Sequence, residues 1–460
     1  EMLYPELPEY EGKEGTLMLE NIRAAMAQDI YIAKGGEETF KPFFTNHGYR
    51  YIEISGIEEE LPLDNVEGIV LSSIKGIDAQ YETSSELVNK LWSNITWSTL
   101  GNFVSIPTDC PQRNERLGWA GDISVFSRTA SYMASIPQFL RRYLQSMRDV
   151  QRADGRMPDI APLGGGFGGL LWGSAAITVA WESYQQYNDK RMLEEHYDAM
   201  KKYIDFIFKK TIDPQTNIIV QDNAWGDLGD WLGLEDEKND KSLFWEAYLI
   251  YDLDIMRKTA ALLGKADDEK YFADKRQERI AFFNSTYLEQ ATGKTISSGF
   301  GGRRKGQLVD TQTSYVLPIA LGVLDGKTYN NCVSNLAETI ERQGTMDNGS
   351  VCAPYALLTG FIGTAWISKA LSDGGRSDIA YKLLLNEQYP SWLYPVKQGA
   401  TTIWERLNSY THSNGFGGNN RMNSFNHYSF GAVGAWLINY SLGIRRGETS
   451  PGFKHFIIKP

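Results

Sequence analysis

The chain has 460 residues, with 46 Lys and Arg against 57 Asp and Glu and a formal net charge of −11. That acidic balance excludes a protein whose main partner is a polyanion, because phosphate recognition needs a basic face. With 42% hydrophobic and 22% charged residues, the composition is that of a globular chain able to bury a large core unaided by disulfides or metal.

Three cysteines (Cys110, Cys332 and Cys352) cannot all pair within the chain, and they show neither CxxC nor zinc-ligand spacing. They fit a reducing compartment, but a secreted bacterial protein could carry them too, so localisation stays open. No apolar run reaches the ~18 residues of a membrane span. The opening Glu-Met-Leu-Tyr has neither initiator Met nor signal peptide, so a piece of a longer protein is expected.

Residues 1–78 read as a β-sandwich region, itself expected to be incomplete. Segments 29–34, 50–57 and 68–74 have strand length and β-branched or aromatic content. From Ser84 onward the pattern turns helical. Apolar spacing and breakers predict twelve helices, at 84–98, 120–134, 137–152, 173–188, 190–211, 242–264, 267–286, 311–323, 326–342, 354–373, 376–386 and 425–443. Ser84-Ser85-Glu86 is a capping start, and Pro354 suits a first helical turn. Short links such as Asn188-Asp189-Lys190 make neighbours antiparallel. Twelve helices in six hairpins predict a mainly α fold, an (α/α)6 barrel over 79–446. The tail, 447–460, ends in Phe-Lys-His-Phe-Ile-Ile, with no evident strand partner nearby. It reads as the stub of a C-terminal β domain or as a returning strand.

Four links are long: 155–171, 213–240, 287–309 and 387–424. Loops of that length in a compact domain are usually functional. In or beside them stand Trp172, Trp225, Trp231, Trp392 and Trp404, which point to a site at one end of the barrel.

The densest segment, 108–122, sets Asp109, Glu115 and Asp122 among Arg113, Arg116 and Trp119. Carboxylates crowded beside an aromatic are what a site needs to separate acid and base roles. A solvated loop with Arg–carboxylate pairs explains the pattern equally well. In 399–407, Glu405 lies between Trp404 and Arg406; alone it reads as a surface ion pair. Together the two segments suggest the opposed carboxylates of glycoside hydrolysis.

Asp-Cys-Pro-Gln-Arg-Asn-Glu-Arg-Leu-Gly-Trp-Ala-Gly-Asp, 109–122, closely resembles the signature of the α-L-rhamnosidases of glycoside hydrolase family 78. Gly-Ala-Thr-Thr-Ile-Trp-Glu-Arg (399–406) and Ser-Phe-Asn-His-Tyr (424–428) resemble two later family segments, in order. The resemblance implies an (α/α)6 catalytic barrel among β-sandwich domains, and exo-acting, inverting removal of terminal α-L-rhamnose. Glu115 would be the general acid and Glu405 the base. Asp109, Arg113, Trp119, Asp122 and His427 would hold the sugar, with Trp172, Trp231 and Trp404 lining the pocket. The partner would be a rhamnose-bearing oligosaccharide, polysaccharide or plant glycoside. The sequence departs from the family pattern at Asn114, where Asp is usual, at Ser174, often acidic, and at Leu407, commonly aromatic.

Gly164–Gly169 formally matches GxGxxG, but no buried strand precedes it, so a pocket-rim loop is the better reading. Asp227 and Asp230 read as turn or cap residues as readily as sugar contacts. No histidine pair has zinc spacing, and no metal or cofactor is expected, although Asp/Asn-rich loops could hold a structural calcium. Two other readings remain at this stage. One is a barrel hydrolase or lyase on another sugar such as a uronic acid, for which Arg303, Arg304 and Lys305 are the clearest cations. The other is a non-catalytic carbohydrate-binding relative.

Overall fold

The computed structural model describes residues 2–166, 168–221, 228–417 and 419–460. Its helices are α1 (Glu86–Asn102), α2 (Ala120–Met133), α3 (Pro137–Asp149), α4 (Ala175–Tyr187), α5 (Lys190–Lys210) and α6 (Lys241–Leu262). They continue with α7 (Ala266–Tyr287), α8 (Gln312–Ala320), α9 (Gly326–Glu341), α10 (Phe361–Thr364), α11 (Ile367–Asp373) and α12 (Ser377–Leu384). Local chemistry sets several ends. Ser85 caps α1 by accepting from the Val88 amide, and Asp189 caps α5 by accepting from Met192. Asn188 closes α4 in the left-handed conformation, so Asn188-Asp189 turns one helix into the next.

The helices form two concentric rings. α2, α4, α6, α8 and the α10–α11 pair contact one another in that order, and the helical segment 428–441 closes the circle by packing on both α10 and α2. Inner helices are buried nearly all round; α4 buries every residue from Ala175 to Gln185. The outer helices α1, α3, α5, α7, α9 and α12 bury one face. In α3 that face is Phe139, Leu140, Tyr143, Leu144 and Met147. This is the expected six-hairpin toroid.

The structure corrects four expectations. The helix predicted from Pro354 begins at Phe361, because Pro354-Tyr355 form a turn and tertiary partners hold the residues after it out of helix: Leu357 donates to Pro390 O and Leu358 to the Gln312 side chain. The helix predicted over 425–443 starts at Tyr428, as a 3-10 turn to Val433, and tightens and loosens again through a π turn at Leu437–Ser441. The segments 29–34, 50–57 and 68–74 are not helical and form no ladder among the described residues. A strand needs a neighbouring backbone, and here Ile30 and Ile32 are 80% and 84% exposed. The β-structure near the N-terminus is instead Met2–Leu3 paired antiparallel with Leu17–Met18. Finally, the tail does have a nearby partner: Phe456–Ile458 pairs antiparallel with Ile444–Arg446. In sequence Ile444–Arg446 falls between the helix predicted over 425–443 and the tail and belongs to no predicted element.

One buried ion pair ties α7 to α6 and to the loop that follows α5. Arg279 on α7 donates Nε to Glu246 of α6 at 2.7 Å, and its other nitrogens reach the Asn217 side chain and carbonyl at 2.9 and 3.0 Å. Both charged side chains are fully buried. Arg279→Met strands the Glu246 carboxylate and is expected to lower stability by about 3–5 kcal/mol, with much of the loss recovered in the Arg279→Met/Glu246→Met double variant. Urea unfolding of the three proteins measures both.

Candidate active site

The loop before α2 is closed by Asp109, which donates its own amide to Leu117 O and accepts the Leu117 amide on Oδ1 at 2.8 Å. That clamp folds 110–116 into a tight excursion, with Arg116 in the left-handed conformation (φ 51°). Inside it lies Arg113, its side chain 2% exposed. Nε meets Cys110 Sγ at 3.1 Å and Nη1 donates to Met422 O at 3.2 Å. Nη2 faces Glu115 Oε2 at 2.8 Å, Glu405 Oε2 at 3.4 Å and Asp109 Oδ2 at 3.9 Å. One guanidinium thus gathers Glu115 and Glu405, which stand 290 positions apart in the chain.

Glu115 takes two further donors. Trp119 Nε1 lies 3.0 Å from Oε1, and Arg23 Nη1 lies 2.9 Å from Oε2. Glu405 is placed by an exchange with Ser424, donating its amide to Ser424 O and accepting the Ser424 amide on Oε2. Gln112 Nε2 donates to Ser424 Oγ at 2.9 Å, which fastens the two catalytic-type loops together. Asp122, in the first turn of α2, accepts from Ser429 Oγ at 2.9 Å and sits 2.7 Å from His427 Nε2. His427 is fixed by its own amide on Ile403 O, and its ring lies against Phe361, centroids 5.3 Å apart.

Trp172 packs flat against Gly121, where an added Cβ would fall 2.5 Å from the indole; only glycine lets the ring lie beside the first turn of α2. Its Nε1 is buried with no partner among the described residues. Trp231 is half-buried in a turn whose carbonyl accepts from Phe361, the residue behind His427. Asp230 organises that turn: its buried carboxylate accepts from Thr313 and from the Gly360 and Gly363 amides, so it is a cap for α10 rather than a free sugar contact. Trp225 and Asp227 lie outside the described residues.

Trp404 is the pocket residue the structure places elsewhere. It is buried in a satellite core with Met2, Tyr4, Met18, Phe416 and Phe425, its ring edge-on to Phe425. Neighbourhood to Glu405 in sequence suggested the pocket; alternation along an extended segment turns adjacent side chains to opposite sides. Of the departures, Asn114 is exposed and Leu407 buried. Ser174 donates to Asp252 Oδ2 at 2.6 Å, so an acidic side chain at this depth comes from α6 instead. Arg304 and Lys305 stay exposed on their loop.

Charge is distributed unevenly. Burial, and then the neighbouring Glu115 charge, push Asp109 up to about 8. Burial alone would raise Glu115 too, but Arg113, Arg23 and His427 outweigh it and hold that carboxyl below its usual range. His427 is pushed up to about 9: burial opposes its charge, yet Glu405, Asp122 and Asp109 overcome it. The Cys110 thiol is driven well up by burial and by Asp109. Ligand atoms of Asp109, Cys110 and Glu115 lie within 4.8 Å of one another, a spacing that suits a metal ion. Arg113 already contacts all three, so a guanidinium supplies the positive charge there.

Sequence reasoning missed Arg23, Cys110, Gln112 and Ser429. Three of these stand inside or beside the motifs and were legible as members of them. Arg23 lies in a segment with no pattern at all.

A family description, bacterial alpha-L-rhamnosidase 6 hairpin glycosidase domain, matches residues 78–440, and a bacterial alpha-L-rhamnosidase concanavalin-like domain matches residues 1–72. The chain belongs to the bacterial α-L-rhamnosidase family. It is 35% identical over 450 residues to an alpha-L-rhamnosidase of Streptomyces avermitilis, covering 97% of this chain and 40% of that protein. It is 36% identical over 458 residues to one of Formosa agariphila, covering 97% and 46%. The crystal structure of the Streptomyces avermitilis alpha-L-rhamnosidase complexed with L-rhamnose superposes with a TM-score of 0.85, covering 100% of this chain and 41% of that one. The alpha-L-rhamnosidase from Dictyoglumus thermophilum superposes with a TM-score of 0.84 at 34% identity, covering 100% and 48%. The chain therefore spans about half the length of the rhamnosidases it matches.

His427 gives a stability signature. Its folded pKa of about 9 lies above the ordinary 6.5, so the folded state holds a proton that the unfolded chain releases between those values. The stabilisation is fully present below pH 6.5 and lost as pH rises through 9. Wild type should lose on the order of 3 kcal/mol across that window relative to His427→Gln. Urea midpoints of the two proteins at successive pH values test it.

Proposed function

We propose that the chain is the catalytic portion of an exo-acting α-L-rhamnosidase that hydrolyses terminal α-L-rhamnosides with inversion. The observation that carries this reading is the convergence of Glu115 and Glu405, from two loops far apart in sequence, on the buried Arg113 guanidinium. Glycoside hydrolysis asks for two carboxyls with different tasks. Glu115, at the more open edge of the cluster, passes a proton to the glycosidic oxygen as the C1–O bond breaks. Glu405, held by Ser424, takes a proton from the water that attacks C1. Asp109, Asp122 and His427 form a polar floor suited to the sugar hydroxyls. Trp172, with its unpartnered indole N–H, and Trp231 are the aromatic wall, apt for the C6 methyl of rhamnose.

Sharing one nitrogen brings the nearest oxygens of the pair closer than the roughly 6.5–9.5 Å at which inverting carboxyls work. Inversion therefore requires Glu115 to turn from Arg113 toward the sugar when substrate enters. The fitting substrates are rhamnose-terminated oligosaccharides, polysaccharides or plant glycosides.

Glu115→Gln and Glu405→Gln should each lower kcat on p-nitrophenyl α-L-rhamnoside by about 10²–10⁴-fold, the Glu115 variant less because p-nitrophenol is a good leaving group. NMR of the first-formed sugar should show β-rhamnose. Appearance of the α-anomer first would replace inversion by retention, and absence of hydrolysis by folded wild type would sink the activity.

A further inference from the structure

Among the described residues, Arg113, Trp119 and Arg23 donate to Glu115, and they differ in how firmly each is held. Arg113 is anchored at Cys110, Met422 O, Glu405 and Asp109 and is almost completely buried. Trp119 leads directly into α2. Arg23 alone comes from outside the barrel, from the N-terminal segment that matches the concanavalin-like domain, and its side chain is 21% exposed. It spans the gap by three contacts: Nη1 to Glu115, Nε to Arg421 O at 2.6 Å and Nη2 to Met422 Sδ at 3.6 Å. Its backbone adopts φ 58°, ψ −115°, which L-residues rarely use. Such a conformation persists only where surroundings impose it, and is a common mark of functional positions.

With two guanidinium donors on Oε2 and the Trp119 indole on Oε1, Glu115 has neither a proton nor, on Oε2, a free lone pair to turn to a substrate. A general acid needs the first before it can act. We propose that Arg23 is a positioning residue through which the N-terminal segment keeps Glu115 ionised in the empty site, and which withdraws from Oε2 when the leaving group arrives. This rests on the reading of Glu115 as the acid. Arg113 cannot withdraw without stranding Glu405 and Asp109 and stays in place, whereas Arg23 releases into solvent and so frees Glu115 to turn from Arg113 toward the sugar. Once Glu115 has turned, Oε2 takes a proton from solvent hydronium, leaving water; that proton passes to the glycosidic oxygen as the C1–O bond breaks, the proton Glu405 takes from the attacking water returns to solvent, and the carboxylate goes back to Arg23 after product departs. The other groups facing Glu115 are Asp109 and Cys110 on its own loop, Glu405 and His427 on the C-terminal loops, and Asp122 on α2. All of these are within the barrel and remain when Arg23 is changed.

The test uses the full chain labelled with ¹⁵N at the tryptophan indoles. The Trp119 indole N–H contacts Glu115 directly, so its resonance, assigned by its loss in Trp119→Phe, titrates with that carboxyl. Glu115→Gln should abolish the inflection. In Arg23→Gln the midpoint should rise by about half to one pH unit, and in Arg23→Lys it should stay near wild type. If Gln disturbs folding, Arg23→Met, which keeps the reach to Met422, replaces it. The alkaline limb of kcat/KM for p-nitrophenyl α-L-rhamnoside should move upward by the same amount, which a purely structural contact would not produce. An unchanged midpoint in both charge-removing variants overturns the proposal. A shifted midpoint in a chain that hydrolyses no rhamnoside would uphold the Arg23–Glu115 coupling and reject the function instead.

Discussion

A single buried guanidinium organises this protein's candidate site. Arg113 touches a thiol, a backbone carbonyl and three carboxylates, two of which stand on loops from opposite ends of the chain. Taking so much charge out of water is costly unless every partner is satisfied. That requirement makes the loop before α2 and the 399–428 loops interdependent: neither can keep its carboxylate in place without the other. The Gln112–Ser424 bond and the Asp122–His427 pair repeat the same link on either side.

The closed ring of helices is what makes this arrangement affordable. Because the segment 428–441 packs on α2, the last strand of chain before it is brought over the first loop of the barrel. The rim then carries buried carboxylates that do structural work: Asp230 caps α10, Asp240 caps α6, and Asp252 receives Ser174. They hold the long loops at one end without themselves reaching the carboxylate pair. The result is a cluster of loops anchored at helix starts, where backbone N–H groups would otherwise lack partners.

Much of the fold was legible in sequence. Ten of the twelve expected helices appear within a few residues, because inner and outer helices both carry strong apolar patterns and clear caps at Ser85 and Asp189. The failures have a common cause. Residues 354–360 were pulled from helix by Gln312 and Pro390, and the 29–34, 50–57 and 68–74 segments have strand character without a neighbouring backbone. Trp404 was misplaced because adjacency in sequence does not say which side of an extended segment faces the site. In each case the outcome turned on contacts made, or lacking, beyond the segment itself.

The sequence by itself determined the helical periodicity, the six-hairpin count and the two motifs that name the carboxylates, since these depend on local spacing and residue chemistry. Only the tertiary structure decided that Glu115 and Glu405 share Arg113, that Asp109 rather than Glu115 is driven toward its neutral form, and that Arg23 reaches in from the N-terminal segment. Charge state in a buried cluster is set by the distances among all its members and by their burial, and neither exists until the ring has closed.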